Sequence, residues 1–276
     1  MGFDRSRTLG NLVVVRGAGD LASGVINRLV RCGFKVVATE REQPTVIRRM
    51  VAYASAVFEG AVRIEGVEAV KAADLAEAQA ALSAGKVPVL IDSSGQAICE
   101  LRPDFVVDAI IAKKNLGTSM DMAPVVIGLG PGFTAGKDVH AVVESKRGHN
   151  LGRVILDGSA EPDTGKPGTV CGYSAERVVR ALADGVINTI AEIGDRVQGG
   201  QTVAYVDGVP VTVQIGGVLR GLIHSGLYVT SGMKIGDVDP RGRREYCFSI
   251  SDKARAIAGG VLEAMLYLQN RMGATS

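Results

Sequence analysis

Leu12-Val13-Val14-Val15-Arg16-Gly17-Ala18-Gly19-Asp20-Leu21-Ala22 decides how the first half of this chain is read. The apolar, mostly β-branched run before Arg16 makes a buried strand. After the glycines, Leu21, Val25, Ile26, Leu29 and Val30 fall on one helical face. Cys32-Gly33 stops that helix, and Phe34 to Thr39 forms the next strand. In this setting Gly17-x-Gly19-x-x-Ala22 fits the Gly-x-Gly-x-x-Gly/Ala dinucleotide fingerprint. Gly17 permits the tight turn, Gly19 lets phosphate approach the backbone, and Ala22 packs helix on strand, with Ala18, Asp20 and Leu21 completing the cradle. Glu40 ends the second strand where an acid binds a ribose diol, and Arg41 beside it either favours a 2′-phosphate or simply faces water. Asp20, however, caps free N–H groups at the helix start and competes with a bound pyrophosphate. Two readings stand: a cradle for a phosphorylated ligand, or a turn that only closes a Rossmann-like unit.

Working outward, further strands are expected at Val62 to Ile64, Pro88 to Ile91, Phe105 to Ile111 and Pro124 to Ile127, with helices at Val46 to Ala52 and Asp74 to Ala84. Were these strands parallel, their carboxyl ends would collect the glycine turn, Glu40, Asp92, and the lysine pair Lys113 and Lys114. The lysines give that crevice positive charge or simply face water. Farther on, Asp138 and His140 would share one strand face as a pair for proton transfer. Arg147 suits an anion and His149 follows it, but two histidines alone make a poor metal site.

Between about Arg180 and Pro240 the chain repeats with a shift of 32 positions: Gly185 on Gly217, Gly194 on Gly226, Val197 on Val229, Gly200 on Gly232. One copy cannot bury its own apolar face, whereas two can by wrapping around each other. The run Gly194-Asp195-Arg196-Val197-Gln198-Gly199-Gly200-Gln201 resembles the turn of biotinyl and lipoyl carrier domains. Such carriers acylate a lysine on the hairpin between halves, and no lysine lies between Lys166 and Lys234. No covalent biotin or lipoate is expected. Past the repeat, Phe248 to Ser251 reads as a short strand, and apolar residues from Ile257 to Leu268 recur at helical spacing.

The expected fold class is therefore α/β: a Rossmann-like parallel sheet, ligand-binding domain with a β-rich extension (1–165), a β-rich barrel-sandwich domain of biotinyl/lipoyl type without its lysine (166–245), and a C-terminal helix (246–276) returning to the first domain.

The 276 residues carry 31 basic and 29 acidic side chains, so nothing points to nucleic acid or an anionic membrane surface. Four scattered cysteines without a CxxC argue against a disulfide framework. No long uncharged apolar run and no signal-peptide core is present, which reads as a cytoplasmic protein. The glycine-rich barrel offers edges for a homo-oligomer.

Several motifs together resemble the YqeB family. They are Gly17-Ala18-Gly19-Asp20-Leu21-Ala22, Ile111-Ala112-Lys113-Lys114-Asn115-Leu116-Gly117, Leu129-Gly130-Pro131-Gly132-Phe133, Asp138-Val139-His140, Arg147-Gly148-His149-Asn150-Leu151-Gly152 and Gly236-Asp237-Val238-Asp239-Pro240-Arg241. The resemblance covers nearly the whole chain. It implies an accessory or maturation factor for selenium-dependent molybdenum hydroxylases, with a more distant likeness to XdhC and CoxI factors. Its partners would be the hydroxylase apoenzyme or other maturation proteins. Its ligand would be NAD(P) or a phosphorylated pterin (molybdenum cofactor). The alternatives are an NAD(P)-dependent oxidoreductase acting on a small metabolite and a noncatalytic docking scaffold. The scaffold reading expects a bulky residue at Gly19 to harm folding.

Overall fold

A computed structural model describes residues 10–165 and 167–273. The run that opens the chain forms β1 (Leu12–Arg16), and its alternation sends Val13 and Val15 to one face and Val14 to the other. On the first face lie α1 (Asp20–Arg31) and the last helix. β2 (Lys35–Glu40) follows α1 and pairs with β1 in parallel. The chain then makes the short α2 (Ala56–Glu59) and the hairpin of β3 (Ala61–Ile64) and β4 (Val67–Ala72). Next come α3 (Leu75–Ser83), capped by the Asp74 carboxylate on the Glu77 N–H, then β5 (Val87–Ile91), α4 (Gln96–Leu101) and β6 (Phe105–Asp108). β7 (Val125–Leu129), β8 (Thr134–Ala135), β9 (Ala141–Val143), β10 (Val154–Ile155) and β11 (Gly158–Ser159) complete this half.

The strands assemble as one nine-stranded sheet in the order β10-β9-β7-β6-β1-β2-β5-β4-β3, with β8 and β11 paired apart. The expected Rossmann-like parallel sheet is corrected here. The sheet is mixed, since β3 runs antiparallel to β4 and β10 antiparallel to β9. No α-helix crosses from β6 to β7 or from β7 to β9. That side is covered instead by α5 (Asp252–Gly273), which packs on β7, β9 and α1. The two helices run in the same direction, for Gly24 of α1 meets Ala254 while Arg28 reaches Gly259.

The repeat forms β12 (Val178–Arg180), β13 (Gly185–Thr189), β14 (Arg196–Val197), β15 (Thr202–Val206), β16 (Val209–Thr212), β17 (Gly217–Leu222), β18 (Tyr228–Val229) and β19 (Lys234–Asp239). These build two four-stranded antiparallel sheets, β12-β19-β17-β14 and β16-β15-β13-β18, around a shared core of Ile187, Val203, Leu219 and Ile235. The biotinyl/lipoyl-type barrel-sandwich is likewise corrected to this pair of antiparallel sheets. β14 of the first copy pairs with β17, and β18 of the second pairs with β13, so each copy lends its short strand to the other's sheet. The hairpin between β15 and β16 turns at Asp207-Gly208, both at positive φ.

Three local expectations also change. The strand from Phe105 ends at Asp108, because its Oδ1 accepts the Ile110 N–H and folds the chain away. The helix expected over Val46 to Ala52 is an irregular segment with a 3₁₀ turn, Arg49–Val51, because the Ile47 carbonyl accepts the Leu222 N–H at 2.9 Å. Phe248 to Ser251 forms no strand and leads straight into α5. Among the described residues no helix is long and apolar enough to cross a membrane.

Candidate functional site

Strand direction sorts the polar residues. The carboxyl ends of β1, β2, β5, β6, β7 and β9 share one edge because these strands run parallel. The chain leaves β1 toward β2 on one side and β6 lies on the other, so the strand order reverses there and a crevice opens. The paired antiparallel sheets stand against this edge. Leu222 binds Ile47, Arg49 Nε donates to the Leu222 carbonyl at 3.2 Å, and Phe58 stacks on His224 at 4.2 Å.

Between the two units lies a cleft in two connected parts. The first, about 650 Å³, is lined by Gly17, Gly19, Asp20, Leu21, Glu40 and Arg41, with Asp92 on its far wall. Gly17 has φ +90°, and a Cβ there would stand 3.1 Å from the Ala109 carbonyl oxygen. Gly19 is different. It caps α1 with φ −70°, no side chain caps the helix there, and a Cβ on it would meet nothing within 4 Å. Ala22 is fully buried behind the turn, as is Ala18, whose N–H donates to Glu40 Oε2 at 3.0 Å. The other Glu40 oxygen accepts the Arg41 N–H at 2.9 Å.

Asp20 does not cap α1. Arg48 grips its carboxylate with one nitrogen, at 2.9 and 3.0 Å, and donates with another to the Tyr246 and Ser249 carbonyls. Asp92 is a turn builder, accepting from the Ser94 hydroxyl and from the Gly95 and Ala97 N–H groups, each at 2.8 Å. Burial pushes its carboxyl up, but these donors outweigh that and hold it below its ordinary range.

The second part, about 780 Å³, lies under the first turn of α5 and contains Lys113, Arg147, Arg220, Lys234 and Lys253. Asp20, Arg48, Lys234 and Asp237 line both parts and join them. Lys113 pairs with Asp163 at 2.7 Å, and Arg147 with both oxygens of Asp252 at 2.7 and 2.9 Å. Burial, opposed by Asp237, pushes the Lys234 ammonium down, and burial together with Arg147 does the same to Lys253. Among the described residues, two buried nitrogens, Arg48 Nε and Arg220 Nε, have no hydrogen-bond partner.

Of the residues read from sequence, Gly17, Gly19, Asp20, Leu21, Glu40, Arg41, Asp92, Lys113 and Arg147 line this cleft. Lys114 is exposed beside Gly132 and lines neither part. The Asp138–His140 pair is a correction. Asp138 lies in a turn before β9 and accepts the Thr134 N–H at 2.8 Å, so the strand alternation that would align the two does not apply. His140 Nδ1 accepts the Val126 N–H at 3.0 Å, near the start of β7, at the amino edge of the sheet. His149 sits beyond the other end of β9 in an exposed loop with Asn150 and Arg153, outside the cleft lining.

The sequence reading missed Arg48, Arg177, Arg220, Lys234 and Lys253. They come from segments up to about two hundred positions apart, as the Arg48 bond to the Ser249 carbonyl shows. Only Gly236-Asp237-Val238-Asp239-Pro240-Arg241 hinted at them: Asp237 takes both Arg177 and Lys234, and Asp239 takes Arg220 and Arg241. Beneath the turn, Arg16 is buried against Thr118 and Asp108.

These features define a two-unit protein with a charged cleft at a strand-order reversal. Compared with known proteins, the chain is 52% identical over 260 residues, 94% of its length, to the uncharacterised protein YqeB of Escherichia coli (strain K12). The chain spans about half (48%) of the length of that relative. No family model matches the chain. Among solved structures it is similar to an aspartoacylase family protein from Mesorhizobium loti, at 12% identity over 84% of this chain and 86% of that one, with a TM-score of 0.29. It is also similar to a succinylglutamate desuccinylase/aspartoacylase from Rhodobacter sphaeroides, at 18% identity over 49% and 58%, with a TM-score of 0.22. Likeness at that level carries no argument about chemistry.

Proposed function

We propose that the chain binds a phosphorylated ligand in the first part of the cleft, and does so as an accessory factor in molybdenum hydroxylase maturation. The observation that carries the binding site is the contrast at the glycine turn. Gly17 is required by its own backbone, whereas Gly19 has an ordinary φ and empty space where a side chain would go. A residue free to be larger, at the uncapped start of a helix facing a cleft, fits a backbone kept clear for phosphate. Glu40 holds the turn through Ala18 and retains lone pairs for a sugar hydroxyl. Arg41, exposed on the rim, would meet a 2′-phosphate.

Both a dinucleotide and a phosphate-bearing pterin carry the phosphate and hydroxyl groups these residues would take. Gly19 and Leu21 would face its phosphate, Glu40 its hydroxyls, and Arg48 supplies a buried charge with one unpartnered nitrogen. The maturation role rests on the family resemblance and names the hydroxylase apoenzyme as the partner. The oxidoreductase alternative is less favoured, since it needs a proton donor near the cradle and both candidate histidines lie elsewhere.

Native mass spectrometry of the purified protein, with calorimetric titration of NAD(H) and NADP(H), tests the cradle. Gly19→Val costs the fold about 1 kcal/mol or less, so loss of micromolar binding in that folded variant is the expected result. Equal binding by Gly19→Val, or no dinucleotide or pterin bound at all, would overturn the reading.

A further inference from the structure

The two parts of the cleft differ in charge. Four cations and four carboxylates line the first part. Nine cations and only five carboxylates line the second. Pairing within that second part is correspondingly incomplete. Asp237 serves both Arg177 and Lys234, and Asp239 serves both Arg220 and Arg241. Lys253, on the first turn of α5, is partly buried and forms no ion pair among the described residues; Arg147 acts on it unfavourably, and Asp20, Glu144 and Asp163 favour its charge only from beyond ion-pair distance. The Arg48 side chain is 9% exposed, and its Nε, like that of Arg220, lacks an acceptor.

Clustered, half-desolvated like charges are unfavourable unless something else neutralises them. Each would be relieved by one oxyanion placed among them. A surplus of several charges suits a phosphoryl group with two or more negative charges better than a single carboxylate. Arg220, held only by Asp239 among the described residues, adds guanidinium donors, and the first turn of α5 adds its positive end.

We propose that this well is a second anion site, separate from the glycine turn, which takes a multiply charged phosphoryl group through Lys253, Arg220 and Arg48. The site shares Arg48 with the cradle, but Lys253 on α5 and Arg220 on β17 line only this second part. The phosphoryl group belongs either to free phosphate or pyrophosphate or to an ester whose remainder extends toward Glu40.

The test is calorimetric titration of inorganic pyrophosphate, and in parallel AMP, at constant ionic strength, into the wild-type chain, Gly19→Val, Lys253→Met and Lys253→Arg. The Lys253-dependent binding of pyrophosphate is expected to persist in Gly19→Val, to weaken at least about tenfold in Lys253→Met, and to recover with Lys253→Arg. AMP weakened by Lys253→Met would assign the well to an ester. Pyrophosphate binding without AMP binding would assign it to the free anion. Loss of pyrophosphate in Gly19→Val with full binding in Lys253→Met would place the anion in the cradle and overturn this proposal alone. Absence of pyrophosphate binding to wild type would overturn it too, while the dinucleotide titration still judges the cradle.

Discussion

The two edges of the nine-stranded sheet carry similar residues and put them to opposite uses. At the amino edge, acids and a histidine are tied to backbone N–H groups: Asp104 to Gly10 and Leu12, Asp138 to Thr134, His140 to Val126. Each satisfies a strand end or turn, and that work is local. At the carboxyl edge Glu40 and Asp92 also hold backbone N–H groups, but there charged groups from distant segments join them, share partners, and leave arginine nitrogens without acceptors. A polar residue that completes its own neighbourhood serves the fold. A polar group left incomplete beside a cavity is where a ligand is to be sought.

The largest effect expected from this contrast separates two glycines two residues apart. Gly17→Val forces a β-branched residue to φ +90° and drives its Cβ to 3.1 Å from the Ala109 carbonyl. The cost is about 3 kcal/mol or more, read as a lowered denaturation midpoint. Gly19→Val, with open space around it, should unfold within about 1 kcal/mol of wild type. The reverse order would mean that Gly19 is the structural glycine, as the scaffold reading has it, and would remove the main support for the cradle.

Local pattern made much of this legible. The run from Leu12 to Ala22 announces strand, turn and helix, and the spacing of the C-terminal repeat is met by its strands, with β13, β14 and β15 starting 32 residues before β17, β18 and β19. What the pattern left out was pairing. Parallel and antiparallel neighbours have the same alternation, so nothing in Val62 to Ile64 told that β3 folds back on β4. Nor does a repeat reveal that its short strands change places between sheets. The site shows the same limit. Gly17, Gly19 and Glu40 are close in sequence and readable as a motif. Arg48, Arg220 and Lys253 meet only because the second unit docks on Ile47 and α5 lies along α1.

A smaller effect sharpens the contrast at the other edge. His140→Ala removes the acceptor of the Val126 N–H and should cost about 1 kcal/mol. It should leave dinucleotide and pyrophosphate affinity unchanged, because His140 sits at the amino edge and the length of β9 separates it from the cleft that Ser145 and Arg147 line. Urea unfolding and the two titrations on one preparation measure both quantities. Weakened binding at preserved stability would restore His140 to the site and break the division between the edges.

The smallest effect belongs to an ion pair at the carboxyl edge that is complete and therefore, by this argument, structural. The Arg147 guanidinium, hydrogen-bonded to Asp252, holds that carboxyl well below the usual range; burial opposes this and the Lys253 N–H assists. Because the folded pKa is depressed, the pair's contribution is present above about pH 4, the unfolded value for aspartate. It is lost as the pH falls toward the folded one. Asp252 is mostly exposed, its side chain keeping 73% of its free surface, so solvent screens the pair and its worth is below about 1 kcal/mol. Asp252→Asn should therefore lower the melting temperature slightly at pH 7 and less at pH 2, narrowing the gap between the two. Freed of its partner, Arg147 also joins the uncompensated cations of the well, so the same variant should bind pyrophosphate more tightly than wild type. Weaker binding would mean that Asp252 and Arg147 act on the anion as a unit, and the line between complete and incomplete charges would have to be drawn elsewhere.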